Sequence, residues 1–257
     1  MYILAIETTG REGSVCLLRA GTGSGGEECR EKPAIAGTKK IRGNMSHLRE
    51  LIPSVSELLA STGVTKEEIS YIAASVGPGS FTGIRIGVST ARALSQALGL
   101  EYAIAVPTLT AFKYKQEALA AADRGVVCCG IINARRGQVY GMIDGYLEDG
   151  PYMLADVLEI IREQVFARGR EVLFFGDGID AYESFINDEL QNLGKYSFAK
   201  EGYRLQDAES VAICGALNLD RYRVKSVNLL PDYMRKAEAE QKLEAGQLPI
   251  CKGPKQE

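Results

Sequence analysis

The chain has 257 residues, of which 46% are hydrophobic, 25% charged and 7% aromatic, the composition of a folded globular protein with a full core. Its 30 Lys and Arg are set against 33 Asp and Glu for a formal net charge of −3. That balance excludes a disordered or fibrous chain, and it lacks the basic excess of a protein that grips nucleic acid over its own surface.

The chain opens on an apolar strand, Tyr2–Ile6, with neither a basic leader nor a cleavage site, and no apolar run reaches the ~18 residues that span a bilayer. A cytoplasmic protein is expected, with no membrane partner. A second β-rich run, Gly13–Leu18, predicts a hairpin closed by the polar turn Glu7–Glu12. The glycine-rich residues 19–45 predict a long hairpin loop with a third strand near Lys32–Ala36. Leu48, Leu51, Ile52, Val55, Leu58 and Leu59 recur at helical spacing, with Ser46 as N-cap and Gly63 as stop. Pro53 lies about two turns in and predicts a kink or a late start. Tyr71–Val76, the loop Gly77–Gly83, a helix to Leu98 and the strand Glu101–Val106 make a βαβ unit, followed by a helix over Thr108–Ala121.

The pattern then restarts. Val126–Ile132, the turn Asn133-Ala-Arg-Arg136 and Gly137–Ile143 form a second hairpin, in which Ile132-Asn133 echoes Ile6-Glu7 and Gly137-Gln-Val139 echoes Gly13-Ser-Val15. A helix over Leu154–Ala167 and a strand over Glu171–Phe175 follow, and the strand ends in Gly176-Asp-Gly178 before another helix, as the earlier one ended in Gly77-Pro-Gly79. Two echoes in the same order predict a duplicated α/β fold with lobes over 1–106 and 107–234. A late helix, Ala208–Leu219, is placed to pack back on the first lobe, and 235–257 reads as a charged tail.

Little in this sequence carries chemistry. The single histidine, His47, excludes any site needing two imidazoles from one chain, and it has no adjacent nucleophile. The cysteines at 16, 29, 128, 129, 214 and 251 include no C-x-x-C pair and read as reduced, buried thiols. No metal ligands and no catalytic residues are expected. The turn Glu7-Thr8-Thr9 admits two readings, an ordinary turn or a phosphate contact. Gly77–Gly83 lacks the Gly-Lys-Ser/Thr of a Walker loop, although Ser80 or Thr82 can cap the helix behind it. That helix carries Gly83, Gly87, Ala91 and Ser95 four residues apart, a stripe that lets another backbone approach, from its own sheet or from another chain. Arg135 and Arg136 can clamp a phosphate or a carboxylate, or stand solvated at a hairpin tip.

Taken together, Ile3-Leu-Ala-Ile-Glu-Thr-Thr9, the helix start Ser46–Pro53, Ser75-Val-Gly-Pro-Gly-Ser-Phe-Thr-Gly-Ile-Arg-Ile-Gly87, Ala134–Tyr140 and Pro231–Glu238 resemble the TsaB family from residue 1 to about 240. The resemblance implies a duplicated actin-like, Hsp70/hexokinase superfamily (ribonuclease H-like) fold. It also implies a non-catalytic subunit in the synthesis of threonylcarbamoyladenosine in tRNA. The implied partners are a TsaD-type catalytic subunit, a TsaE-type ATPase and, through the complex, tRNA, with self-dimerisation when the chain is alone. The implied docking face is Leu48, Leu51, Ile52, Val55 and Leu59 with Gly83, Gly87, Ala91 and Leu94, so that a bulky residue at Gly87 should block the heterodimer and leave the monomer folded. No tightly bound cofactor is expected; ATP or ADP would bind weakly at Glu7, Thr8 and Thr9 or at a subunit junction. The catalytic paralogue carries His-x-x-x-His after the strand that here continues Pro107-Thr-Leu-Thr-Ala111. Asn133 stands where relatives commonly have Asp, and the 21–45 stretch is longer than usual. The competing reading is an ATPase of the same superfamily, with a peptidase more remote.

Overall fold

The computed structural model describes residues 1–21, 33–41 and 47–234. They form two mixed sheets. In the first, strands β1 (Tyr2–Glu7), β2 (Gly13–Arg19), β3 (Ala34–Ile41), β4 (Ile69–Gly77), β5 (Tyr102–Pro107) and β11 (Arg223–Lys225) lie in the order β11-β5-β4-β1-β2-β3. In the second, β6 (Val127–Asn133), β7 (Gln138–Ile143), β8 (Leu147–Met153), β9 (Val172–Phe175) and β10 (Tyr196–Phe198) lie in the order β10-β9-β6-β7-β8. Each sheet is an antiparallel three-strand meander whose first strand also pairs in parallel with the strand after the crossover: β1 with β4, and β6 with β9. The same unit occurs twice, in the same order, and the fold is the duplicated actin-like α/β architecture.

Strand alternation sorts the first core. Leu4 and Ile6 of β1 point to one face with Val15, Leu17, Ile72 and Ala74, and meet Leu51, Val55 and Leu58 of α1 (His47–Thr62) and Ile84, Val88 and Ala91 of α2 (Phe81–Ala97). Ile3 and Ala5 point to the other face with Cys16, Leu18, Ala73, Ile104 and Val106, and are covered by α7 (Ala208–Leu217). The second sheet repeats the sandwich. Cys129 and Ile131 meet α5 (Leu154–Ile160) and α6 (Gly178–Leu190), whereas Cys128 and Ile132 meet Leu109 of α3 (Thr108–Ala111) and Phe112. Burial pushes the Cys16 and Cys214 thiols up to about 12 and raises the Cys128 and Cys129 thiols as well, so all four are inert at neutral pH.

Several expectations are corrected. The helix over His47–Thr62 continues through Pro53, which is exposed, so the helix does not wait for the proline to start. The third strand begins at Ala34 and continues to Ile41, paired with β2, instead of spanning 32–36. The helix expected over Thr108–Ala121 is broken: Lys115 is extended, with φ −67° and ψ 143°, between a short 3-10 turn and α4 (Gln116–Ala122). The break sends the Lys115 ammonium to the Leu205 carbonyl at 2.8 Å and to the Asp207 carboxylate. Strand β8 went unseen because Gly150-Pro151 reads as a turn, yet proline is tolerated on an edge strand, where its missing N–H is not needed. The short strands β10 and β11 also lie at sheet edges and carry no periodicity of their own. Ser46, Lys32 and the tail 235–257 lie outside the described residues.

Candidate functional site

The first hairpin turn is closed by the chain itself. Glu7 is fully buried, as are Thr8 and Thr9. One Glu7 carboxylate oxygen accepts from the Thr9 amide and from the Thr9 hydroxyl at 2.6 Å, and the other accepts from the Ser75 hydroxyl on β4. The Thr8 hydroxyl donates to the Gly83 carbonyl at 2.7 Å, and the Ser80 amide donates to the Thr9 carbonyl at 2.7 Å. Ser80 also caps α2, accepting from the Gly83 amide at 3.3 Å. The N-terminus of α2 is therefore seated on the turn, with the Thr8 hydroxyl spent on the helix and the Thr9 hydroxyl spent on Glu7. In this geometry the polar groups of Glu7, Thr8 and Thr9 are engaged by one another, by Ser75 and by α2.

The same packing turns five of the nine residues of the expected docking face toward the chain's own interior. Gly83 and Gly87 lie against Thr8 so closely that a Cβ at 83 would run into its carbonyl and one at 87 into its hydroxyl. The small-residue stripe thus serves the chain's own turn. Leu51, Val55 and Ala91 are buried in the first core. The remainder of the expected set faces outward: Leu48 is 74% and Ile52 46% exposed on α1, one turn apart, while Leu59 and Leu94 are half-buried.

Beside these helices sits a cluster to which the sequence reading gave no role. Phe81 and Tyr233 stack with ring centroids 4.8 Å apart, and the Arg85 guanidinium lies 3.9 Å from the Phe81 centroid while its Nε donates to the Tyr233 hydroxyl at 2.9 Å. The segment that brings Tyr233 there is anchored by the Asp232 amide, which donates to the Val76 carbonyl at 2.8 Å, and by the buried Leu229. Both parts were in view as motif blocks, Gly77–Gly87 and Pro231–Glu238, but nothing in their spacing joins residues 148 positions apart.

The second hairpin is also held by side chains. The Asn133 amide donates to Asp177 at 2.9 Å, and the Asn133 side-chain oxygen accepts from the Arg135 amide at 2.8 Å and from the Tyr182 hydroxyl at 3.2 Å. Burial holds the Asp177 carboxyl above the usual carboxylate range. Arg11, from the first turn, pairs with Asp180 at the start of α6 at 3.5 Å, and Arg204 pairs with the same carboxylate at 2.7 Å, so the first hairpin turn is tied to α6. Among the described residues no group of three or more His, Cys, Asp or Glu could hold a metal ion, and no helix is long and apolar enough to cross a membrane.

The profile of the family described as TsaD, tRNA N6-adenosine threonylcarbamoyltransferase, matches residues 43–243. The tRNA threonylcarbamoyladenosine biosynthesis protein TsaB of Bacillus subtilis is 32% identical over 253 residues, covering 94% of this chain and 97% of that protein. The chain belongs to the TsaB family. A tRNA N6-adenosine threonylcarbamoyltransferase of Streptococcus pneumoniae is 29% identical over only 38% of the chain and 31% of its own length, so the end-to-end match is to TsaB. Among solved structures, YeaZ from Pseudomonas aeruginosa superposes with a TM-score of 0.64 at 22% identity, over 90% of this chain and 99% of that one, a likeness that establishes the fold.

Glu7 gives this TsaB-family core a measurable signature. Burial raises its carboxyl above the usual 4.5, and the bonds from Ser75 and Thr9 only partly offset the rise. A carboxyl whose folded pKa exceeds its unfolded value favours folding when protonated, so its contribution to stability is lost as pH rises from the unfolded value through the folded one. Glutamine can accept from Thr9 and donate to Ser75 without a charge. Glu7→Gln is therefore expected to gain stability relative to the parent between about pH 5 and 8, with the difference shrinking toward pH 4, when melting temperatures are compared across that range. A loss that is the same at every pH would show that the carboxylate is held charged.

Proposed function

We propose that this chain is a non-catalytic subunit of a tRNA threonylcarbamoyladenosine synthesis complex, which docks and supports a TsaD-type catalytic subunit as it transfers the threonylcarbamoyl group to adenosine. The observation that carries this reading is the exposed apolar pair Leu48 and Ile52 on α1, lying over a helix layer in which Leu51, Val55, Leu58, Ile84, Val88 and Ala91 are already buried. Leucine and isoleucine held in water on a rigid, packed helix are the kind of surface that a partner chain covers. Membership of the TsaB family, whose relatives are named for this biosynthesis, supplies the pathway. The closed Glu7–Thr9 turn and the lone His47 support a supporting role over an ATP-using or metal-dependent one. In this reading a TsaE-type ATPase joins the assembly, tRNA is met through the complex, the chain binds ATP or ADP only weakly or at a subunit junction, and it pairs with itself through the α1 face when the partner is absent.

The test is transfer of the threonylcarbamoyl group to tRNA with the catalytic subunit, the ATPase, ATP and preformed threonylcarbamoyl-adenylate supplied, and this chain present or omitted. Product that needs the chain, from a chain that alone neither transfers nor hydrolyses ATP, is the expected result. Equal product in both arms overturns the reading, and ATP turnover by the isolated chain would favour the ATPase reading instead.

A further inference from the structure

We propose that the Arg135–Arg136 tip of the second hairpin is a phosphate-contact point for RNA, which gives this acidic chain a direct hold on the tRNA backbone. The proposal rests on the reading above that the chain serves tRNA modification, and it adds a contact that the reading does not require.

Three observations carry it. The first is backbone strain. Arg135 (φ 65°), Arg136 (φ 55°) and Gly137 (φ 75°) are three successive left-handed residues, and only one other described non-glycine residue, Asn192, has a positive φ. Left-handed backbone at a non-glycine residue costs about 1–3 kcal/mol. Asn-Gly or Gly-Gly closes a hairpin without that strain, so arginine at both positions points to a use for the side chains.

The second is rigidity. The Ala134 and Gln138 amides are taken by the Gln138 and Arg135 carbonyls, each at 3.0 Å, and the Arg135 amide by Asn133. The Gly137 amide is taken by the Tyr182 hydroxyl at 3.2 Å, and the Gly137 carbonyl accepts from Leu154 at 2.9 Å. With four amides committed internally, the turn is no backbone cradle for a nucleotide phosphate. What it presents is a pair of exposed arginines on a backbone held in place, which suits an extended polyanion better than a small molecule in a pocket.

The third is charge. Both arginines are exposed, and neither has an ion-pair partner among the described residues, although Arg11, Arg162 and Arg204 do. In a chain of net charge −3, two adjacent exposed arginines are a local positive point, and phosphate contacts of this kind position an RNA without reading its sequence.

The test is binding of an unmodified tRNA transcript to the complex of this chain with the TsaD-type subunit, followed against salt. Arg135→Gln with Arg136→Gln is expected to weaken binding roughly ten-fold at low salt and to lower the slope of log K against log salt by about 1.4–1.8, the value for two phosphate contacts. Arg135→Lys with Arg136→Lys should retain most of the slope, and the charge-matched control Arg124→Gln with Arg162→Gln should leave it unchanged. Size exclusion and thermal melting should show the subunits still associated and folded. Unchanged tRNA affinity and slope overturn the proposal. So does a loss of subunit association, which would make the tip a protein contact, or a loss confined to ADP binding. Because binding is read without turnover, this outcome is independent of whether omitting the chain abolishes tRNA product, which tests the underlying reading.

Discussion

Gly83→Val is expected to destabilise the fold by more than about 3 kcal/mol, because the new branch must occupy the space of the Thr8 carbonyl, and backbone, unlike a flexible side-chain end, cannot step aside. The Thr8 hydroxyl bond to the Gly83 carbonyl and the Ser80 bond to Thr9 would be lost with the close approach, each contributing on the order of 1 kcal/mol. Gly87→Leu should also destabilise, though by less, because its Cβ would meet the Thr8 hydroxyl, a side-chain group that can turn away only by giving up its bond to the Gly83 carbonyl. Chemical denaturation decides the matter: both variants should unfold at lower denaturant than the parent, or fail to accumulate as folded monomer. A Gly87→Leu monomer of parental stability that no longer binds a TsaD-type subunit would return this stripe to the docking face.

The second large effect is expected at the surface that remains. Leu48→Glu with Ile52→Glu places two charges where the structure shows exposed apolar side chains. The monomer should keep its stability to within about 1 kcal/mol, since neither side chain is in the core. Association with the catalytic subunit should weaken at least ~30-fold for each residue that acts as an anchor worth ~2 kcal/mol or more. Co-elution and tRNA product should fall together. If co-elution persists, the docking surface lies elsewhere, and the Phe81–Arg85–Tyr233 cluster becomes the next set to change.

The contrast between these two predictions shows what the sequence could and could not reveal. Helical spacing correctly announced that Gly83, Gly87 and Ala91 share a face and that something approaches it closely. A period carries no information about which neighbour approaches, and the neighbour proved to be the chain's own turn. On α1 the apolar residues span a stripe wider than the core can cover, so Leu51, Val55 and Leu58 go in and Leu48 and Ile52 are left out. The duplication was legible because each hairpin repeats a local pattern, and the paired sheet orders follow from it. The pieces that stayed hidden depend on long-range partners: β8 hides behind Gly150-Pro151, the Lys115 break answers to Asp207, and Tyr233 reaches Arg85 from the far end of the fold.

The seat of α7 bears on how the chain folds as it leaves the ribosome. The strands that α7 covers all precede it in synthesis by 100 residues or more, and the first amide of Ala208–Leu217 donates to Ser14, 194 positions upstream, at 2.9 Å. Until then Ile3, Ala5, Cys16, Leu18, Ala73, Ile104 and Val106 form a bare apolar wall on a sheet whose opposite side is already roofed by α1 and α2. The strands of the second sheet all come from Val127–Phe198, so that lobe has its whole sheet in hand while the older one still waits for its cover. Vectorial synthesis thus builds this molecule in inverted order, and a nascent chain stalled before residue 208 would present a sticky face to chaperones or to its neighbours on a polysome.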